Sequence, residues 1–194
     1  NNKAMHQIYH DLKHQIDFIR NEKSASKRES YLAEMEKVVT LRDAEMNTGN
    51  AILDTVLTSK SLRCAEEGIV MTCFADAHDM GFIDMMDICS IFGNAIDNAI
   101  ECVEKIADKN MRLIKLTVRT QNRFLLIRVE NCTDKAIDLN GGQPVTTKEN
   151  KESHGYGIKS IRKAAEKYGG CMTLEQQDGW FIMTVLIPLA EEKK

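Results

Sequence analysis

Along the first 47 residues, apolar side chains recur at helical spacing. Met5, Ile8, Tyr9, Leu12, Ile16 and Ile19 step by threes and fours across residues 3–20, which places them on one face of a helix. A polar break over residues 21–27 holds two serines and two lysines, and the pattern then resumes with Tyr31, Leu32, Met35, Val38, Val39 and Met46. Two amphipathic helices joined by a short polar connection make an antiparallel hairpin. One hairpin buries both stripes poorly, whereas two from two chains make a four-helix bundle. The pattern therefore predicts a homodimer.

The periodicity changes after residue 47. Thr48 and Asn50 are candidate caps for a third helix through about residue 67, carried by Ile52, Leu53, Val56, Leu57 and Leu62 and ended by Gly68. Residues 69–74 read as a strand. Residues 84–106 read as a helix that is apolar on both sides and therefore largely buried. Two alternating runs, 111–119 and 123–130, flank a Thr-Gln-Asn turn and predict a β-hairpin. Residues 131–153 form a long polar loop containing Gly141-Gly142, Pro144 and Thr146-Thr147-Lys148. A helix then runs from Gly155 to Lys167, closed by Gly169-Gly170, and strands 171–176 and 180–187 end the fold around Asp178-Gly179. The fold class is α+β, with residues 1–47 as the dimerising hairpin and residues 48–194 as a mixed α/β sandwich.

Composition narrows the function. A hydrophobic content of 43% allows a core of ordinary size, and 26 basic residues against 29 acidic ones give no field for nucleic acid or an anionic membrane. No apolar run approaches the about 18 residues of a membrane span. The chain starts Asn1-Asn2 rather than with Met, a hint of a piece excised just inside a membrane. The six cysteines lie singly, without a CxxC pair, and read as small buried hydrophobes in a reducing compartment, Cys89 among them. Met85, Met86 and Met183 read as core filler, Trp180 as packed in the last hairpin, and His78 as solvated.

Two motifs carry chemistry. His154-Gly155-Tyr156-Gly157-Ile158-Lys159-Ser160 follows the polar loop and opens a helix. Glycines there let backbone approach an anion, the free amides of the first turn face it, and Lys159 adds a full charge. Such a turn is often only structural. Its partner is the run Asn94 to Glu101, in which Asn94, Asn98 and Glu101 share one helical face. Asparagines set among Ile91, Phe92, Ala95, Ile96, Ala99 and Ile100 require polar partners. They are either two satisfied buried amides or ligands, with the Asn98 oxygen suited to Mg²⁺.

Together these motifs resemble the N box and second glycine box of the GHKL superfamily, which includes gyrase-type ATPases, Hsp90, MutL and histidine kinases. The resemblance implies a GHKL/Bergerat-type α/β sandwich holding ATP and Mg²⁺. Asn98 would be the metal ligand, with Asn94 beside the phosphates. Glu101 and His154 fall within the motifs, Gly155 and Gly157 would clamp the triphosphate, and Thr147 and Lys148 would close over it from a lid spanning residues 134–153. ATP-hydrolysing members have Glu four residues before the metal asparagine. Here that position is Asn94, and an amide cannot deprotonate water. This departure points to phosphotransfer onto a side chain.

His10-Asp11-Leu12-Lys13-His14 resembles the H box of histidine kinases of the AgrC-like, peptide-sensing group. His10 would accept the phosphoryl group and Asp11 would orient its ring, with His14 assisting dephosphorylation of the regulator. Read alone, His6, His10 and His14 at intervals of four are equally a metal pair or a solvated row. The DxGxG box that most histidine kinases use for adenine is missing; Glu130-Asn131-Cys132-Thr133-Asp134 stands in its place. Asn131, ahead of Asp134, is then the candidate adenine contact, and nucleotide affinity should be weak. The reading is a two-component sensor kinase core, the cytoplasmic portion of a membrane-bound sensor, passing phosphate to a response regulator. Its rivals are another GHKL enzyme, a serine-directed kinase or ATPase, and a degenerate dimeric interaction module.

Overall fold

A computed structural model of the chain describes Glu29 and residues 46–189, apart from 137, 138, 141, 142 and 145–153. The chain divides into two compact units, Asn1–Asp43 and Ala44–Lys194. The predicted helical hairpin, with His10, Asp11 and His14, lies outside the described residues, as do Thr147 and Lys148. Residues 46–189 belong to the second unit.

Helix α1 (Ala51–Glu66) starts where the sequence offers two caps, and Asn50 is the one used. Its Oδ1 accepts from the amides of Ile52 and Leu53, both at 3.1 Å. Thr48 is bound instead to Asp54, whose Oδ1 accepts from the Thr48 amide at 2.7 Å and hydroxyl at 2.8 Å. These caps satisfy amides that have no partner within the helix. Strand β1 (Val70–Ala75) follows, then a single 3-10 turn and helix α2 (Met85–Val103). Strands β2 (Leu113–Gln121) and β3 (Phe124–Cys132) form the predicted hairpin. Their turn is Asn122-Arg123, with φ of 49° and 65°. Both central residues therefore take the left-handed conformation of a two-residue hairpin. The longer pairing of β2 with β3 overrides the poor fit of arginine to that conformation.

Within the polar stretch after β3, Leu139–Asn140 (β4) and Gln143–Pro144 (β5) pair as a short ladder that the sequence pattern did not predict. Helix α3 (His154–Lys167) leads to β6 (Cys171–Gln177) and β7 (Trp180–Pro188). The main sheet has the order β1-β2-β3-β7-β6, parallel between β1 and β2 and antiparallel elsewhere. Alternation sends Ile114, Leu116 and Val118 of β2, and Leu125, Ile127 and Val129 of β3, to one buried face. Helix α2 packs on β2 and β3, α3 on β6 and β7, and α1 on α2 and β1. The result is a two-layer α/β sandwich. No described helix is long and apolar enough to cross a membrane.

Several expectations need correction. Helix α2 is buried on one face, not both: Ile88, Ile91, Phe92, Ala95, Ile96, Ala99, Ile100 and Val103 enter the core. Met85 and Met86 are 57% and 73% exposed, so they are not core filler, while Met183 is buried as expected. Cys89 and Cys171 are exposed, whereas Cys64 and Cys132 are buried. In a two-layer sandwich a helix has only one covered side, and an apolar run longer than that stripe spills onto the surface. Trp180 packs against the core as expected. His78 is exposed but paired, its Nδ1 2.7 Å from Asp76 Oδ1.

The thiols are correspondingly unequal. Burial pushes Cys64 and Cys73 up to about 11, and only thiolates react readily. Alkylation of the native protein at pH 8 is expected to modify Cys89 and Cys171 first, with Cys64 and Cys73 protected until urea unfolds the chain; peptide mapping reads this directly.

At the end of α3 the chain turns tightly under β7. A Cβ on Gly170 would collide with the Leu186 carbonyl oxygen and lie 3.0 Å from the Ala165 carbonyl. Backbone atoms cannot swing aside as side chains do. Gly170→Ala is therefore expected to cost about 1–3 kcal/mol, measured as a lower urea midpoint with an unchanged m-value.

Candidate nucleotide site

The core stripe of α2 leaves Asn94, Asp97, Asn98 and Glu101 on an adjoining face. They line a polar cavity of about 460 Å³. Lys60 and Arg63 of α1 close one side, and Tyr156, Gly157 and Ser160 of α3 close the other.

Hydrogen bonding orients Asn94. Its Nδ2 donates to the Ser90 carbonyl one turn earlier at 2.7 Å. A carbonyl only accepts, so the amide nitrogen must face it and the oxygen faces α3. A Cβ on Gly157 would lie 3.4 Å from Asn94 Oδ1 and 3.6 Å from Asn98 Nδ2. Glycine costs about 1 kcal/mol relative to alanine inside a helix. Here it keeps the first turn of α3 close above both amides with no side chain between them. Helix α3 begins at His154, one residue earlier than predicted, so the amides of residues 154–156 have no intrahelical partner.

Asn98 Nδ2 is buried and has no hydrogen-bond partner. An orphaned buried amide costs about 1–3 kcal/mol, a cost that a ligand would remove. Asn98 also borders a second, apolar slot, formed by Ala95, Ala99, Val129, Ile158, Leu174, Phe181 and Met183. Asn131 sits in its wall, 2% exposed, with Nδ2 donating to the Cys132 carbonyl at 3.0 Å. The Asn131 amide oxygen is thus the polar group left for a ligand in an apolar surrounding. At about 10 Å³ the slot holds no more than about one water. A purine enters only if the lining of the slot opens.

The far ends of α2 and α3 are clamped together. Lys167 Nζ lies 2.5 Å from Asp84 Oδ2 and 2.6 Å from Asp87 Oδ2, and the Tyr168 hydroxyl donates to Asp87 at 2.6 Å. The hydrogen bonds from Lys167 first, and from Tyr168 second, hold the Asp87 carboxyl below its ordinary value. A depressed carboxylate stabilises the fold above its unfolded pKa, and that contribution is lost as pH falls through the depressed value. The acids stand at the N-terminus of α2 and the cation at the C-terminus of α3, each at the helix end whose dipole favours it.

The structure brings Asn94, Asn98, Glu101 and Gly157 to one cavity and sets Asn131 in the adjoining slot. Lys159 is exposed and does not line the cavity, and Asp134 is likewise exposed away from it. His154 and Gly155 belong to the first turn of α3. Lys60, Arg63, Asp97, Tyr156 and Ser160 were not singled out from the sequence. Charged residues on a surface helix carry no local signal, and 37 positions separate Lys60 from its partner Asp97.

The donors suit Mg²⁺·ATP: hard amide and carboxylate oxygens in a polar cavity beside an apolar slot. Among the described residues, no three His, Cys, Asp or Glu are grouped to hold a metal. Mg²⁺ bound with a nucleotide needs only one or two protein ligands, phosphates and waters completing its shell.

The sequence profile of the GHKL domain matches residues 83–188, more than half of the chain. The protein belongs to the GHKL domain family. No curated protein matches it. Among solved structures, the catalytic domain of histidine kinase ThkA in a nucleotide-free form aligns with a TM-score of 0.60 at 22% identity, covering 76% of this chain and 97% of that one. A second nucleotide-free form of the same domain gives 0.58 at 19% identity, covering 74% and 96%. At such identity the likeness shows a shared fold, the GHKL sandwich of a histidine kinase catalytic domain.

Asn98→Ala is expected to weaken Mg²⁺·ATP binding at least about tenfold while leaving ATP binding in EDTA little changed. Calorimetric titration with and without Mg²⁺ separates a metal ligand from a merely structural amide.

Proposed function

We propose that this GHKL protein is the cytoplasmic kinase core of a sensor histidine kinase of the AgrC-like group. In this reading residues 1–47 dimerise as a four-helix bundle and residues 48–194 bind ATP. The observation that carries it is the amide pair on α2 facing Gly157. Asn94 occupies the place from which a carboxylate would activate water, and its Nδ2 is already bound to Ser90. A nucleotide site without that base favours transfer to a protein nucleophile over hydrolysis.

The nucleophile is a ring nitrogen of His10. It attacks the γ-phosphorus of ATP, a new P–N bond forms, the bond to the β-phosphate oxygen breaks, and ADP leaves. Asp11 accepts a hydrogen bond from the other ring N–H and stabilises the developing imidazolium charge. Mg²⁺, held by the Asn98 oxygen, supplies charge neutralisation between the phosphates. Asn94 lies beside the phosphates, the free amides of the first turn of α3 face them, and Gly155 and Gly157 allow the close approach. Asn131 receives the adenine amino group in the apolar slot, and Lys148 closes over the site. The remaining contribution is positioning, since effective concentration dominates such transfers. The phosphoryl group then passes from His10 to an aspartate of a response regulator, and an upstream sensor region connects the core to the membrane.

The test is incubation with γ-labelled ATP and Mg²⁺, comparing the full chain with His10→Gln. Acid-labile, base-stable label is expected on the first and absent from the second. Label that persists without His10 would point to a serine-directed or other GHKL activity, and absence of both label and nucleotide binding to an interaction module.

A further inference from the structure

The cavity is lined by cations that neither motif contains. Lys60 and Arg63 of α1, one turn apart, are its basic residues among those described, and the carboxylates of Asp97 and Glu101 line it with them. Two cations and two carboxylates leave the lining formally neutral. A nucleotide polyanion entering it therefore needs a positive group in direct contact.

Lys60 and Arg63 are held differently. Arg63 is shared among three carboxylates: Nε lies 2.9 Å from Glu67, Nη1 3.1 Å from Asp97, and Nη2 3.9 Å from Glu104. Among the described residues Lys60 has Asp97 alone, its Nζ 2.7 Å from both carboxylate oxygens. An ammonium carries three N–H donors, so one is left for another acceptor. The Lys60 side chain is 21% exposed against 40% for Arg63. Its charge is less hydrated and acts more strongly on a neighbour. Asp97, which pins it, immediately precedes Asn98, the residue with the orphaned buried amide.

We propose that Lys60 meets the terminal phosphate of the bound nucleotide, with Asp97 holding the ammonium ready and Arg63 holding Asp97. Resting on the nucleotide reading above, this assigns phosphate recognition to α1, a helix outside both motifs. The helix-tying role of the ion pair remains, and the bound phosphate takes the third donor of the ammonium.

The experiment measures equilibrium binding of ATP, ADP and adenosine to the full chain in Mg²⁺, with thermal unfolding as a check on folding. It compares the wild type with Lys60→Met, Lys60→Arg, Asp97→Asn and Asn98→Ala. Lys60→Met is expected to bind ATP about 10- to 100-fold more weakly, the size of a lost charge-assisted contact, ADP less so, and adenosine as the wild type does. Lys60→Arg recovers part of the loss. Asp97→Asn, which breaks the same ion pair but keeps the ammonium, is expected to bind ATP at least about tenfold more tightly than Lys60→Met. Unchanged ATP affinity in Lys60→Met alongside a loss in Asn98→Ala overturns the proposal and leaves the nucleotide site standing. Equal losses for ATP and adenosine, or matching losses in Lys60→Met and Asp97→Asn, reduce Lys60 to a tie between helices. A wild type that binds none of the three removes the nucleotide reading and this inference with it.

Discussion

Helix α3 lies so close on α2 that a Cβ at Gly157 would stand in van der Waals contact with the side chains of Asn94 and Asn98. That approach goes with an asparagine turned by its bond to Ser90 and a clamp at the other end. Lys167 and Tyr168 on Asp84 and Asp87 form the clamp. Individual surface ion pairs contribute little, but this one joins two helix ends of opposite dipole and leaves Asp87 mostly covered. The sheet beneath acts through the same geometry. The α2 stripe on β2 and β3 and the α3 contacts on β6 and β7 fix the distance between the helices. With the helices placed, the cavity and the slot are formed.

The site is polar where phosphates would lie and apolar where a base would lie, and Asn98 stands at the junction. Its buried amide without a partner is the least satisfied feature of the neighbourhood. Proteins tolerate such a cost where a ligand offsets it. Nearby charges are paired within the protein: Lys60 and Arg63 on Asp97, Arg63 on Glu67. A preorganised, internally neutral cavity of this type recognises a polyanion through contacts rather than through a broad positive field, in keeping with the small net charge of the chain.

Much of the sandwich was legible along the chain because strands and helices write their own periods. The alternation in residues 111–130 gave the β2–β3 hairpin to within two residues at each end, and Asp178-Gly179, with φ of 51° and 79°, closes the last one where turn chemistry puts it. The spacing of Asn94, Asn98 and Glu101 identified one helical face, since residues three and four apart meet on a helix whatever surrounds it. Burial was less legible. Met85, Met86 and Cys89 look like core by composition, yet they lie off the one covered face of α2 and remain in water.

Local motifs and the absence of a carboxylate at Asn94 are properties of neighbouring residues, and the chain alone determined them. Pairings across long separations are not. Lys60 with Asp97, Gly157 over Asn98 and Asn131 in the slot beside it arise only when the sheet order β1-β2-β3-β7-β6 brings α1, α2 and α3 onto one face. Each partner is an ordinary polar or small residue in its own segment. The packing distance between helices turns them into a site, and no local pattern encodes that distance.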